Sequence, residues 1–219
     1  MSHTVHPYSH RLGILRDWKS RWFGVDKKYR EFLKGDVLIR QYLEKKLLDF
    51  FVADIEIERS KHAIRIIIKT SRPGMIIGRN GEGMDKLKKE LKSFMIKNKI
   101  FDKEIETKVE VDEIRSPESN AKLVGLMVRD ALQKRMPFRR VLKQTIEKVM
   151  ANRDVKGVRI RIGGRLNGAD MARTEELKKG QIPLQTLRAD IDFARVRASI
   201  PQGDLGIKVW IYRGEVFNK

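Results

Sequence analysis

A chain of 219 residues with 41% hydrophobic content is long enough for two domains, and 48 Lys+Arg against 29 Asp+Glu leave a net charge of +19. Such a field repels itself and calls for a polyanionic partner. The lack of cysteine excludes disulfides, thiol catalysis and cysteine-based zinc sites. No stretch approaches the ~18 continuous apolar residues of a membrane helix, and without the apolar core of a secretory signal the expected location is cytoplasmic.

The charge comes in blocks. Residues 61–99 hold 11 Lys/Arg against 3 acids and residues 134–165 hold 11 against 2, whereas residues 101–120 reverse this with 7 acids against 3 bases. Residues 1–25 interleave Arg11, Arg16, Lys19 and Arg21 with Tyr8, Trp18, Trp22 and Phe23 without any helical or strand period. This pattern predicts an extended basic arm over residues 1–17 whose deletion leaves the free protein's stability nearly unchanged. The tryptophans read equally as base-stacking platforms and as packing anchors. His3, His6 and His10 have metal-like spacing, but Pro7 breaks the backbone between them, and a flexible polar arm is the simpler reading.

From Lys27 to Phe50 the apolar residues Val37, Leu38, Tyr42, Leu47 and Leu48 predict a helix, with Gly35 and Asp36 read as a break and a new N-cap. Val52 to Glu58 and Ala63 to Lys69 alternate around Ile55, Ile57, Ile64, Ile66 and Ile68, which predicts paired strands turning at Ser60 to His62. Pro73 to Leu91 then reads as strand, glycine loop and helix. Gly78 and Gly81 bracket Arg79 and Asn80, so the backbone is free to take positive φ and to approach another polymer closely. The apolar face Met84, Leu87, Leu91, Phe94 and Met95 predicts an amphipathic helix after the loop, with an N-terminus that favours phosphate. A lone GxxG is more often a plain turn. With two strands before it, an amphipathic helix behind it and a further alternating strand at Ile105 to Val111, this stretch resembles the type II KH module, whose GxxG loop clamps nucleic-acid backbone.

Ser116-Pro117-Glu118 marks a boundary, and two helices follow over about 118–135 and 138–151, separated at Pro137. Three alternating strands come next: Val158, Ile160 and Ile162 share one face, as do Leu187, Ala189, Ile191 and Phe193, and Ile207, Val209 and Ile211. Arg159, Arg161, Arg188 and Lys208 fall on the opposite faces, which predicts a sheet with helices on one side and basic residues on the other. In the second helix, Arg139, Arg140 and Lys143 project near one another, away from the stripe Phe138, Val141, Leu142, Ile146 and Val149. A solvated face would explain them, but phosphate would relieve their mutual repulsion. Gly163 to Gly168 lacks a P-loop ending and reads as a tight bend, from which Arg165 and Arg173 remain candidate RNA contacts. Asp190 and Asp192 have the spacing of a metal pair, and charge pairing with Arg188 is the better reading. No Ser/His/Asp set or HExxH motif supports catalysis.

Taken together, Val5-His6-Pro7, Arg11-Leu12-Gly13, Pro73 to Glu82, Phe138-Arg139-Arg140, Gly164-Arg165-Leu166, Ala172 to Glu175, Thr186 to Asp192 and Gly206 to Ile211 resemble the third protein of the bacterial small ribosomal subunit. The resemblance covers nearly the whole chain. It implies an α+β fold: a type II KH RNA-binding domain over residues 18–114, then a C-terminal two-layer α/β domain over residues 115–219 with a mostly antiparallel sheet. It implies a non-enzymatic constituent of the small-subunit head, partnered by small-subunit rRNA, mRNA and neighbouring head proteins, with no cofactor, metal, membrane or small-molecule substrate. It places Arg139, Arg140 and Lys143 at the mRNA entrance channel, assisting unwinding. Candidate RNA contacts are then Gly78, Arg79, Asn80 and Gly81 in the loop, with Arg11, Arg16, Lys19, Arg21, Arg165 and Arg173 facing rRNA. Arg79-Asn80 stands where the family commonly has paired lysines. Charge and the GxxG loop would equally suit a free-standing KH chaperone or assembly factor, and a metal-dependent nuclease using Asp190 and Asp192 is a third reading.

Overall fold

The computed structural model describes residues 5–60, 63–98, 100 and 106–217, which divide into two units: residues 18–115, and residues 116–217 joined by residues 5–17. The chain opens with one helical turn, α1 (Pro7–His10), where the Tyr8 N–H donates to His6 Nδ1 at 3.2 Å.

In the 18–115 unit, β1 (Ser20–Arg21) and α2 (Asp26–Lys46) precede β2 (Val52–Arg59) and β3 (Ala63–Thr70); α3 (Pro73–Ile77), α4 (Glu82–Lys97) and β4 (Glu106–Glu113) follow. The alternating isoleucines pair across an antiparallel β2 and β3, Ile55 opposite Ile68 and Ile57 opposite Ile66, and β4 runs parallel to β3. Ile39 and Leu43 of α2 pack with Leu87, Leu91 and Met95 of α4 against these isoleucines. Each fully buried aliphatic side chain contributes about 1.5–3 kcal/mol. This is the type II KH arrangement.

Two expectations fail here for local reasons. Gly35 and Asp36 do not interrupt α2; both are buried within it. A Cβ on Gly35 would lie 2.5 Å from Ile100 Cγ2, so any side chain here would have to displace Ile100. Asp36 is fully buried and accepts from Trp22 Nε1 at 2.7 Å, Ser20 Oγ at 2.8 Å and Arg59 Nε at 2.8 Å. The buried face is therefore Gly35, Asp36, Ile39 and Leu43, while Val37 and Leu48 of the expected face are exposed. The expected strand before the glycine loop is the short helix α3, started by Pro73 at its first position. Of the expected hairpin turn at Ser60 to His62, residues 61 and 62 lie outside the described residues, as do His3 and the start of the strand expected at Ile105.

In the other unit, Asn120 caps α5 (Ala121–Gln133) by accepting from the Lys122 and Leu123 N–H groups at 3.0 and 3.2 Å. Then come α6 (Phe138–Met150), β5 (Gly157–Gly164), β6 (Arg173–Gly180), β7 (Ala189–Ile200) and β8 (Gly203–Glu215). The sheet is antiparallel in the order β6-β5-β8-β7. Val124 and Val128 of α5 and Phe138, Val141, Leu142, Ile146 and Val149 of α6 pack on Val158, Ile160, Ile162, Ile207, Val209 and Ile211.

Sequence periodicity misses β6, because its eight residues hold one apolar side chain and nearly all are exposed. It also misplaces the inner face of β7. Register shifts between Asp190 and Ile191, and Ala194 and Ala198 enter the helix-covered core. Ala189 and Ile191 instead join Trp210 and Tyr212 in a small second cluster, with Phe193 against it, and Leu187 is exposed.

Residues 5–17 are not an extended arm. Fully buried Arg11 donates from Nε to the Ala189 carbonyl at 2.5 Å, from Nη1 to Pro7 at 3.1 Å, and from Nη2 to Leu184 at 3.0 Å and Thr186 at 2.9 Å. Arg16 pairs with Asp190 at 2.5 Å, and His6 meets Phe193 edge to face at 4.8 Å. The segment lacks periodicity because a guanidinium, rather than an apolar stripe, attaches it.

Candidate nucleic-acid interface

The glycine loop is built by backbone geometry. Gly78 has φ 73°, Asn80 φ 50° and Gly81 φ 83°, and α4 begins at Glu82. Asparagine tolerates the left-handed region better than most side chains, and glycine occupies it freely. A third glycine, not singled out by sequence, holds the turn closed: a Cβ on Gly83 would lie 2.6 Å from the Ile76 carbonyl oxygen. Arg79 and Asn80 project into solvent, and Met75 and Ile77 are partly exposed just before them. Glu82 and Asp85 occupy the first turn of α4 and share the sign of phosphate, so backbone N–H groups and Arg79 must supply the loop's attraction.

The second basic cluster stands on α6. Its apolar stripe is buried throughout, which turns Arg139, Arg140 and Lys143 outward. Arg139 is 74% exposed, leans over the Phe138 ring at 5.7 Å and reaches Glu175 at 3.4 Å. Arg140 and Lys143 have no ion pair among the described residues. The first turn of α6 carries no acid, so two arginines occupy the end of a helix where carboxylates are favoured.

The other candidates separate into structural and exposed groups. Arg11 is corrected: its guanidinium is consumed by carbonyls, and burial pulls it below its ordinary pKa, Asp190 opposing this and Arg16 adding to it. Arg16 is held by Asp190, Lys19 pairs with Asp54, and Arg21 pairs with Glu58 at 2.8 Å and Glu56 at 3.4 Å. Arg165 braces its own bend, donating to the Ala169 carbonyl at 3.0 Å and to Asp170 at 3.1 Å. Arg173 is exposed at the start of β6, with no ion pair among the described residues. Of the two tryptophans, Trp22 anchors on Asp36, while Trp18 is 63% exposed. Asp190 and Asp192 do pair with arginine, but with Arg16 and Arg213; Arg188 binds Glu215 at 2.6 Å, and Asp192 accepts from the Ala121 N–H at 2.8 Å.

A KH fold with its glycine loop at a helix N-terminus, in a chain of net charge +19, defines a KH-type RNA-binding protein. A KH domain family model matches residues 38–119, and one described as ribosomal protein S3, C-terminal domain, matches residues 128–211. The small ribosomal subunit protein uS3 of Enterococcus faecalis is 44% identical over 99% of this chain and 94% of its own length. That of Endomicrobium trichonymphae is 43% identical over 100% of this chain and 90% of its own. The chain belongs to the uS3 family of small-ribosomal-subunit proteins, a family of ribosome components rather than enzymes.

Proposed function

We propose that this protein, a constituent of the small ribosomal subunit that binds ribosomal RNA, also lines the path by which mRNA enters, using Arg139, Arg140 and Lys143 to hold the incoming strand unpaired. The observation that carries this reading is the α6 cluster: three exposed cations in the first two turns of a helix whose opposite face is entirely buried. The fold does not need them there, and their repulsion from one another and from the helix dipole is relieved by phosphate. Such contacts attract any sequence and favour a single strand over a hairpin by following its backbone. No hydrolysis takes place on this protein; the motion that pulls mRNA inward is supplied elsewhere on the ribosome. In the same reading the Gly78 to Gly81 loop holds RNA backbone, and neighbouring head proteins flank the chain.

Because the chain has no cysteine, Lys143→Cys gives a single attachment point for a photoactivated cross-linker. In small subunits reconstituted with that variant and programmed with mRNA, the probe is expected to link to message downstream of the decoding site. Cross-links confined to ribosomal RNA or protein would reject the entrance role.

A further inference from the structure

The sheet face of the 116–217 unit that points away from α5 and α6 carries a row of cations in register. Arg161 of β5 lies directly opposite Lys208 of β8, and Lys208 lies directly opposite Arg195 of β7. Like charges facing one another across strands destabilise a sheet. None of the three has an ion pair among the described residues: Glu176, opposite Arg161, pairs instead with Arg159 at 2.6 Å, and Asp204 is taken by Arg197. In the next row on this face Gly163, flanked by the Thr174 side chain, lies opposite Gly206. Gly206 is exposed, and a Cβ there would meet nothing nearer than the Gly163 carbonyl oxygen at 3.9 Å. Neither packing nor a left-handed backbone requires it, and a glycine inside a strand marks a place where another backbone comes close.

We infer that the Arg161, Lys208 and Arg195 row, with the bare floor at Gly206, is a seat for a ribosomal-RNA strand held by its phosphates. The inference rests on the reading of this chain as an rRNA-binding protein. It concerns rRNA rather than mRNA because α6 lies on the opposite side of this sheet, so a strand guided by Arg139, Arg140 and Lys143 does not cross this face. The row supplies the charge and Gly206 supplies the clearance, so the two are separable by mutation.

The test is filter binding of the full-length protein to transcribed small-subunit rRNA over a range of salt, with the melting temperature of each variant measured in parallel. Arg161→Gln/Arg195→Gln/Lys208→Gln is expected to bind about tenfold or more weakly at moderate salt, with the log-log salt slope reduced by about 2–3 units. Gly206→Val, which leaves every charge in place and suits a strand, is expected to bind several-fold more weakly with its slope nearly kept. Both variants should melt at or above the parent, since one loses repulsion and the other gains strand propensity. Equal affinity of parent and both variants would overturn the seat. A loss in the triple variant alone would overturn it too, because diffuse charge would then suffice. Variants that bind the transcript normally but drop out of assembled subunits would point to a protein partner, again against the proposal. A parent that fails to bind the transcript would remove the rRNA-binding reading itself, and the seat with it.

Discussion

Arg11 and Asp36 are charged residues that do the work usually given to apolar ones. Arg11 holds the carbonyls of Pro7, Leu184, Thr186 and Ala189, so Arg11→Ala leaves buried acceptors unsatisfied and should cost about 2–4 kcal/mol in urea unfolding. An unchanged midpoint would show that water replaces the guanidinium without loss. Asp36 joins the Trp22 and Ser20 segment to Arg59 from inside α2. Asp36→Ala strands the buried Arg59 charge and should destabilise the 18–115 unit by about 3–5 kcal/mol. Neither role was legible in sequence, where a cation in an aperiodic stretch reads as an RNA contact and Gly-Asp reads as a helix break. The geometry that reverses both readings comes from residues far away in the chain: Ala189 for Arg11, Arg59 and Ile100 for Asp36 and Gly35.

Elements with an apolar period were readable, and those without one were not. The β2 and β3 isoleucines, the α4 and α6 stripes and the GxxG loop all stand where the pattern put them, because each buries or turns by local rules. By contrast β6 is an exposed edge strand with no inner face, and the apolar face of β7, Ala189, Ile191 and Phe193, packs with Trp210 and Tyr212 while only the small Ala194 and Ala198 enter the helix-covered core, so hydrophobicity alone points to the wrong side. The docking of residues 5–17 has a direct consequence. Deleting residues 1–17 should lower the melting temperature of the free protein by several degrees, since it removes Arg11, Arg16 and the His6 contact with Phe193 together. A melting temperature equal to the parent's would restore the view of a free arm. At the glycine loop, charge and shape are separable. Arg79→Ala should keep the fold and reduce the log-log salt slope of RNA binding by about one unit or less. Gly83→Ala should distort the turn, because its Cβ cannot avoid the Ile76 carbonyl. Equal RNA affinity in both variants would reduce the loop to a simple connection.

At the scale of the whole molecule, a net charge of +19 is divided among surfaces with different duties. Some cations are spent inside the fold on carbonyls and carboxylates, some stand in register on an open sheet face, and three stand in the first two turns of α6. The α6 group separates structure from function most cleanly, since Arg139, Arg140 and Lys143 are exposed and alanine at all three opens no cavity and slightly favours the helix. Subunits carrying Arg139→Ala/Arg140→Ala/Lys143→Ala should therefore assemble normally and translate unstructured messages at the parent's rate. The deciding measurement is the ratio of translation rates on a message with a stable hairpin ahead of the entrance and on an unstructured one, in variant and parent ribosomes. A clearly lower ratio in the variant is the predicted result; the same ratio in both would contradict the mRNA role and leave the α6 cations as a solvated helix face.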